Sequence, residues 1–191
     1  MKNKISFQLE NQKFEIESTA LRTKSWGGEP CKPYIYLTQK HVASILKQYV
    51  KNNYPNVEVW AKSQSYAGGD SVDVYLAYAN GDNVEENIVK DVDRFSTYFE
   101  EGKFNGMIDM YEHKEEDMST DSGTTIKGGT KYAFVRNGAP FGSVPDVVRM
   151  LKAMMAGEYV WGVVTLDVAI QKVKGYKVSD SNIQKALTYI K

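Results

Sequence analysis

Two runs of strictly alternating residues constrain this chain more than anything else in it. Val57, Val59 and Ala61 alternate with Glu58, Trp60 and Lys62, and after Ala67-Gly68-Gly69-Asp70, Val72, Val74, Leu76 and Tyr78 alternate with Asp73, Tyr75 and Ala77. A period of two sends successive side chains to opposite faces of a strand, and a Gly-Gly loop between two such runs marks an antiparallel hairpin. One face of that hairpin is apolar and must be covered. Helices able to cover it stand on either side. Thr38 is placed to cap a helix carrying Val42, Ile45, Leu46, Tyr49 and Val50 at helical spacing, stopped by Tyr54-Pro55. Asn80-Gly81 closes the second strand, Asp82 and Glu85 form a capping box, and Val84, Ile88, Val92, Phe95 and Phe99 recur every three or four residues. Met110 to His113 follows as a further strand. The order helix, strand, strand, helix, strand predicts an α+β fold, an antiparallel sheet with helices packed on one face, followed by a small helical C-terminal region.

The flanks are read the same way. Ile5, Phe7 and Leu9, then Phe14 and Ile16 around Asn11-Gln12, predict an opening hairpin. Arg22 to Pro33 is punctuated by Gly and Pro and reads as a loop, with a strand over Tyr34 to Leu37. Glu115 to Thr130 is rich in Ser, Thr, Gly and Asp without apolar periodicity, which marks a linker. Tyr132 to Arg136 with Asn137-Gly138 reads as a short strand and turn. Three helices close the chain, the last two over Leu166 to Lys174 and around Ile183, Leu187 and Ile190. The expected organisation is an N-terminal β extension (1–37), an α+β domain (38–117), a flexible linker (118–131) and a mostly helical region (132–191).

Charge excludes some functions. The 24 Lys and Arg cancel the 24 Asp and Glu of the 191 residues, which argues against a protein that holds nucleic acid by overall charge and against a wholly acidic DNA mimic. The zero hides a pattern. Residues 1–60 carry nine basic against five acidic side chains, 61–148 eight against sixteen, and 149–191 seven against three. With a single cysteine, Cys31, the fold cannot rest on an intramolecular disulfide. The polar start from Met1 to Glu10 and the lack of any apolar window of about 20 residues lead to the expectation of a soluble, cytoplasmic protein, without a membrane partner.

The segment from His41 to about Asp117 carries an ordered set of motifs: Tyr54-Pro55, Tyr66-Ala67-Gly68-Gly69, Gly81, and then Phe104, Gly106, Met107 and Asp109. In this order they resemble a family in the series of large polyvalent protein-associated domains. The resemblance implies a protein of phages, plasmids or conjugative elements, found beside anti-restriction or DNA-modifying modules, and it brings no catalytic set with it.

Chemistry has few candidates. His41 and His113 are the only histidines, and a metal-independent ribonuclease can use two as acid and base, but no spacing motif joins them. Asp70, Asp73, Asp109 and Glu112 are oxygen ligands of the kind Mg²⁺ takes, although Asp70 and Asp73 also suit a turn and strand start. There is no HExxH, Walker A, CxxC or nucleophile elbow. No metal or cofactor is expected, and whether the protein is an enzyme is left open.

Binding surfaces are better represented. The hairpin face opposite the valines carries Trp60, Lys62, Tyr66 and Tyr75, aromatics beside a lysine of the kind that stack bases on RNA-binding sheets. The competing account is that the N-terminal extension or the C-terminal helices cover this face. Lys172, Lys174, Tyr176, Lys177 and Lys185 lie on a helix, glycine turn and helix that resemble half a helix-turn-helix, with a turn longer than the DNA-binding one. Glu112, Glu115, Glu116, Asp117 and Asp121 form an acidic stretch suited to a basic channel of a partner. These readings lead to an anti-defence protein of a mobile element, anti-CRISPR or anti-restriction in type, that binds a host defence nuclease or its guide-RNA complex, with guide-RNA cleavage as the enzymatic version. The alternative is a nucleic-acid-binding accessory factor, contacting RNA or DNA directly, in replication or conjugative transfer.

Overall fold

The alternating runs form the predicted hairpin at the centre of the molecule. The computed structural model describes residues 4–25, 27–105, 107, 110–114, 117–158 and 164–190, with 103–105, 110, 111 and 113 described by backbone alone. In chain order the elements are β1 (Lys4–Leu9), β2 (Gln12–Glu17), β3 (Leu21–Lys24), β4 (Pro30–Leu37), α1 (Gln39–Asn53), β5 (Val57–Tyr66), β6 (Gly69–Tyr78), α2 (Glu86–Ser96), β7 (Gly102–Asn105), β8 (Met110–His113), β9 (Met118–Ser119), β10 (Thr125–Gly128), β11 (Tyr132–Asn137), α3 (Val144–Met155), α4 (Leu166–Gly175) and α5 (Asp180–Leu187).

β5 and β6 pair antiparallel over their whole length, from Val57 opposite Tyr78 to Tyr66 opposite Gly69. The third strand of this sheet is β11, which runs parallel to β6 on its other side, Tyr132 beside Ser71 through Asn137 beside Leu76. The α+β class and the helical C-terminal region are as expected; the sheet's last strand comes from 132–137, while 110–113 pairs with β7 instead. β6 is therefore central, and Val72, Val74 and Leu76 are fully buried.

Both helices lie on one face of this sheet, α1 against β5 and β6 and α2 against β11. Thr38 begins α1 as predicted, with His41 Nδ1 accepting its backbone N–H at 3.2 Å. α2 starts at Glu86, later than the capping-box reading placed it. Asn137 at the end of β11 takes both backbone groups of Val84, accepting its N–H and donating to its carbonyl at 2.9 Å each. Val84 is thus buried without being helical, and α2 gives way to a 3₁₀ turn over Thr97–Phe99.

The β1–β2 hairpin lies on the far side of the helices. Phe14 stacks on Phe95 of α2 (ring centroids 5.7 Å apart), Phe95 on Tyr49 of α1 (3.8 Å), and β2 packs along α1. The layers run sheet, helices, hairpin, and all contribute to one buried cluster. Arg22 to Pro33, read as a loop, instead supplies β3 and the start of β4, which pair antiparallel. The stretch 118–131, read from composition as a linker, contributes β9 and β10, with β10 parallel to β4. A second buried cluster joins Val147, Val148 and Leu151 of α3 to Ala169 and Val173 of α4 and Ile183 and Ala186 of α5.

Candidate nucleic-acid interface

Because β5, β6 and β11 are in register, the side chains facing away from the helices fall into rows across three strands. One row is Arg136, Tyr75 and Trp60; the next is Phe134, Asp73 and Lys62. Neighbouring strands are about 4.8 Å apart, so a row spans roughly 10 Å, enough for the bases of a short single strand.

Charge and ring faces are interleaved on this surface. The Arg136 guanidinium lies 5.6 Å from the Phe134 ring centre and 6.0 Å from that of Tyr75, and Lys62 Nζ lies 6.0 Å from Tyr75. Tyr132 stacks on Phe134 at 6.0 Å and an interplanar angle of 15°. Arg136 is held in place by Asp73, whose Oδ1 accepts from Nε and Nη2 at 2.9 and 2.8 Å. That carboxylate raises the arginine pKa further, so the cation is permanent. Phe134 is 45% exposed, and Lys62 and Arg136 are also open to solvent.

The competing account of this face is answered in part. The N-terminal hairpin packs on the helices instead of here. The C-terminal helices reach one end of it: Glu58 and Trp60 share a groove of about 430 Å³ with Ser143 and Pro145 of the α3 start and with Lys185 and Tyr189. Tyr66, at the other end, is 47% exposed, its hydroxyl donating to Asp70 O.

The remaining sequence candidates are dispersed. Lys172 is half-buried, Lys174 lies 3.5 Å from Asp180, and Tyr176 and Lys177 are exposed in the α4–α5 turn, Lys177 at φ 58°. Glu112 is exposed on β8, Asp117 is paired with Lys127 at 3.1 Å, and Asp121 accepts the Asn11 N–H at 2.9 Å to hold the β1–β2 turn. Glu115, Glu116 and Asp109 lie outside the described residues. Asp70 accepts from the Lys131 N–H and the Thr130 hydroxyl, so it anchors the start of β11. Among the described residues no three His, Cys, Asp or Glu gather as a metal site. His41 serves the α1 cap, and burial holds its pKa below the usual value; the His113 side chain is outside the description.

Sequence reasoning missed Tyr132, Phe134 and Arg136. Their alternation with Ala133 and Val135 was visible, but a parallel partner about 60 residues upstream leaves no local mark.

Fold and surface together define an α+β domain with an open aromatic and cationic sheet face. A family model agrees with the architecture: large polyvalent protein associated domain 29 matches residues 37–139, from the end of β4 past the end of β11. The chain belongs to that family, and is thus a protein associated with phages and mobile elements. No curated protein and no solved structure matches it. Among the described residues no helix is long and apolar enough to cross a membrane.

Proposed function

We propose that this mobile-element protein binds single-stranded nucleic acid across the outer face of the β11–β6–β5 sheet. The observation that carries the reading is the meeting of Lys62, Tyr75, Phe134 and Arg136 in two adjacent rows on an open face. Rings stack on bases of any sequence, and the two cations meet the phosphates that flank them. Asp73 offsets part of the positive charge, so stacking outweighs electrostatics here.

The anti-defence reading is one use of this surface that suits a mobile-element protein: the strand would be RNA belonging to a host nucleoprotein nuclease, and inhibition would follow from binding. Service as an accessory factor in replication or transfer uses the same face on free strands.

Fluorescence anisotropy with labelled eight-nucleotide RNA and DNA tests the proposal. Two phosphate contacts predict a log–log salt slope of about −1.4. Phe134→Ala should weaken binding about tenfold, the worth of one base stack, and Lys62→Glu should weaken it while flattening the slope. Absence of binding to free strands, or binding untouched by either change, would sink the proposal. Inhibition of a purified guide-RNA nuclease that is lost with Phe134→Ala would point to the anti-defence use.

A further inference from the structure

The groove at the Trp60 end brings together two residues that sequence reading assigned to separate surfaces, Trp60 on β5 and Lys185 on α5. We infer that this groove holds one nucleobase of the bound strand and selects bases carrying an exocyclic amino group over uracil or thymine. The inference rests on the sheet-face reading, since Trp60 continues the row of Arg136 and Tyr75.

Three features argue for a base. The volume of about 430 Å³ falls in the range of small-molecule sites, and its walls include two aromatic side chains, Trp60 and Tyr189, the latter 42% exposed. Lys185 stands at the same groove, placed for the phosphate that accompanies the base. Glu58 supplies an acceptor: a carboxylate takes a hydrogen bond from an amino group such as cytosine N4 and repels a carbonyl oxygen at the same position.

The groove also joins the two buried clusters, because one wall is sheet and the other is α3 and α5. A base seated there therefore bridges the α+β core and the C-terminal helices.

The test uses the full chain with Trp26 and Trp161 changed to Phe, so that Trp60 is the only indole, titrated with eight-nucleotide oligo-C and oligo-U. The expected result is quenching of Trp60 on binding, with oligo-C several-fold tighter. Glu58→Gln should erase the preference, and Lys185→Glu should weaken both ligands about tenfold. Thermal melts confirm folding of each variant, and Trp60→Phe, which keeps a ring, should retain part of the affinity. Binding without quenching, or equal affinity for the two oligomers, overturns the groove. If Phe134→Ala still weakens binding in that case, the sheet-face reading survives. Failure of both oligomers to bind overturns both.

Discussion

Arg136 and Asp73 form the pair on which the outer face depends. Asp73 is only 8% exposed. Arg136→Ala therefore strands the Asp73 carboxylate, and an unpartnered buried acceptor costs about 1–3 kcal/mol. Urea denaturation should show that loss, and adding Asp73→Asn should restore part of it by removing the charge. A second residue-scale effect lies among the helices. Asp91 accepts from the hydroxyls of Tyr49 and Tyr54 at 2.7 and 2.8 Å and from Arg94 at 3.3 Å. Burial alone would raise its pKa, but these hydrogen bonds outweigh it and hold the carboxyl below the usual range. Burial and the same carboxylate push Tyr54 up to about 12. A depressed folded-state pKa contributes stability in full above the unfolded value of about 3.9 and loses it as pH falls through the lower folded value. Thermal midpoints measured from neutral pH into that acid range should fall, and Asp91→Asn should make this acid limb shallower.

At the scale of elements, the passage from β10 into β11 decides whether the binding face exists. Thr130 donates its backbone N–H to Phe99 O and accepts from the Glu101 N–H, both at 2.9 Å, so the chain is pinned just before β11 begins. Gly129 makes this approach possible. Its φ is 157°, and a Cβ there would stand 2.1 Å from Phe99 O. Gly129→Ala must displace main chain, and a cost of more than about 1 kcal/mol is expected. The melting temperature should drop, and oligonucleotide binding should fall with it because Phe134 and Arg136 lose their register. Retention of both would mean that β11 is positioned by its sheet pairing alone.

Across the whole molecule, the second cluster docks through the turn after β6. Gly81 has φ 86°, and a Cβ there would lie 2.7 Å from Pro145 O and 2.9 Å from Arg149 N, so the start of α3 rests directly on this turn. Lys152 reinforces the docking, donating to Asn80 O at 2.9 Å and standing 3.6 Å from Asp82. Gly81→Ala should loosen the C-terminal helices without melting the α+β core. Limited proteolysis should then cut faster in the α3–α4 connection, while circular dichroism keeps the main transition. The three-part charge pattern also takes on meaning at this scale, since Lys185 of the basic C-terminal third meets Trp60 only through docking.

The hairpin, α1, the buried stripe of α2 and the three closing helices were legible in the sequence because each is written in a local period, two for Val57–Tyr78 and 3.6 for Val42–Val50 or Ile88–Phe95. Local chemistry also made Trp60, Lys62, Tyr66 and Tyr75 readable as one face. Tertiary structure decided the rest. Asn137 delayed α2 by taking the backbone of Val84, and a residue 53 positions away leaves no trace in a local pattern. β10 and β11 joined sheets as parallel strands, and parallel pairing links segments without a connecting turn to announce it. Thus the sequence by itself determined the central hairpin and the helices with their buried stripes, since those follow from spacing along the chain. Only the packed molecule brought Tyr132, Phe134, Arg136 and Lys185 to the face that Trp60 and Lys62 already marked, because contacts between distant segments are set by which surfaces must exclude water together.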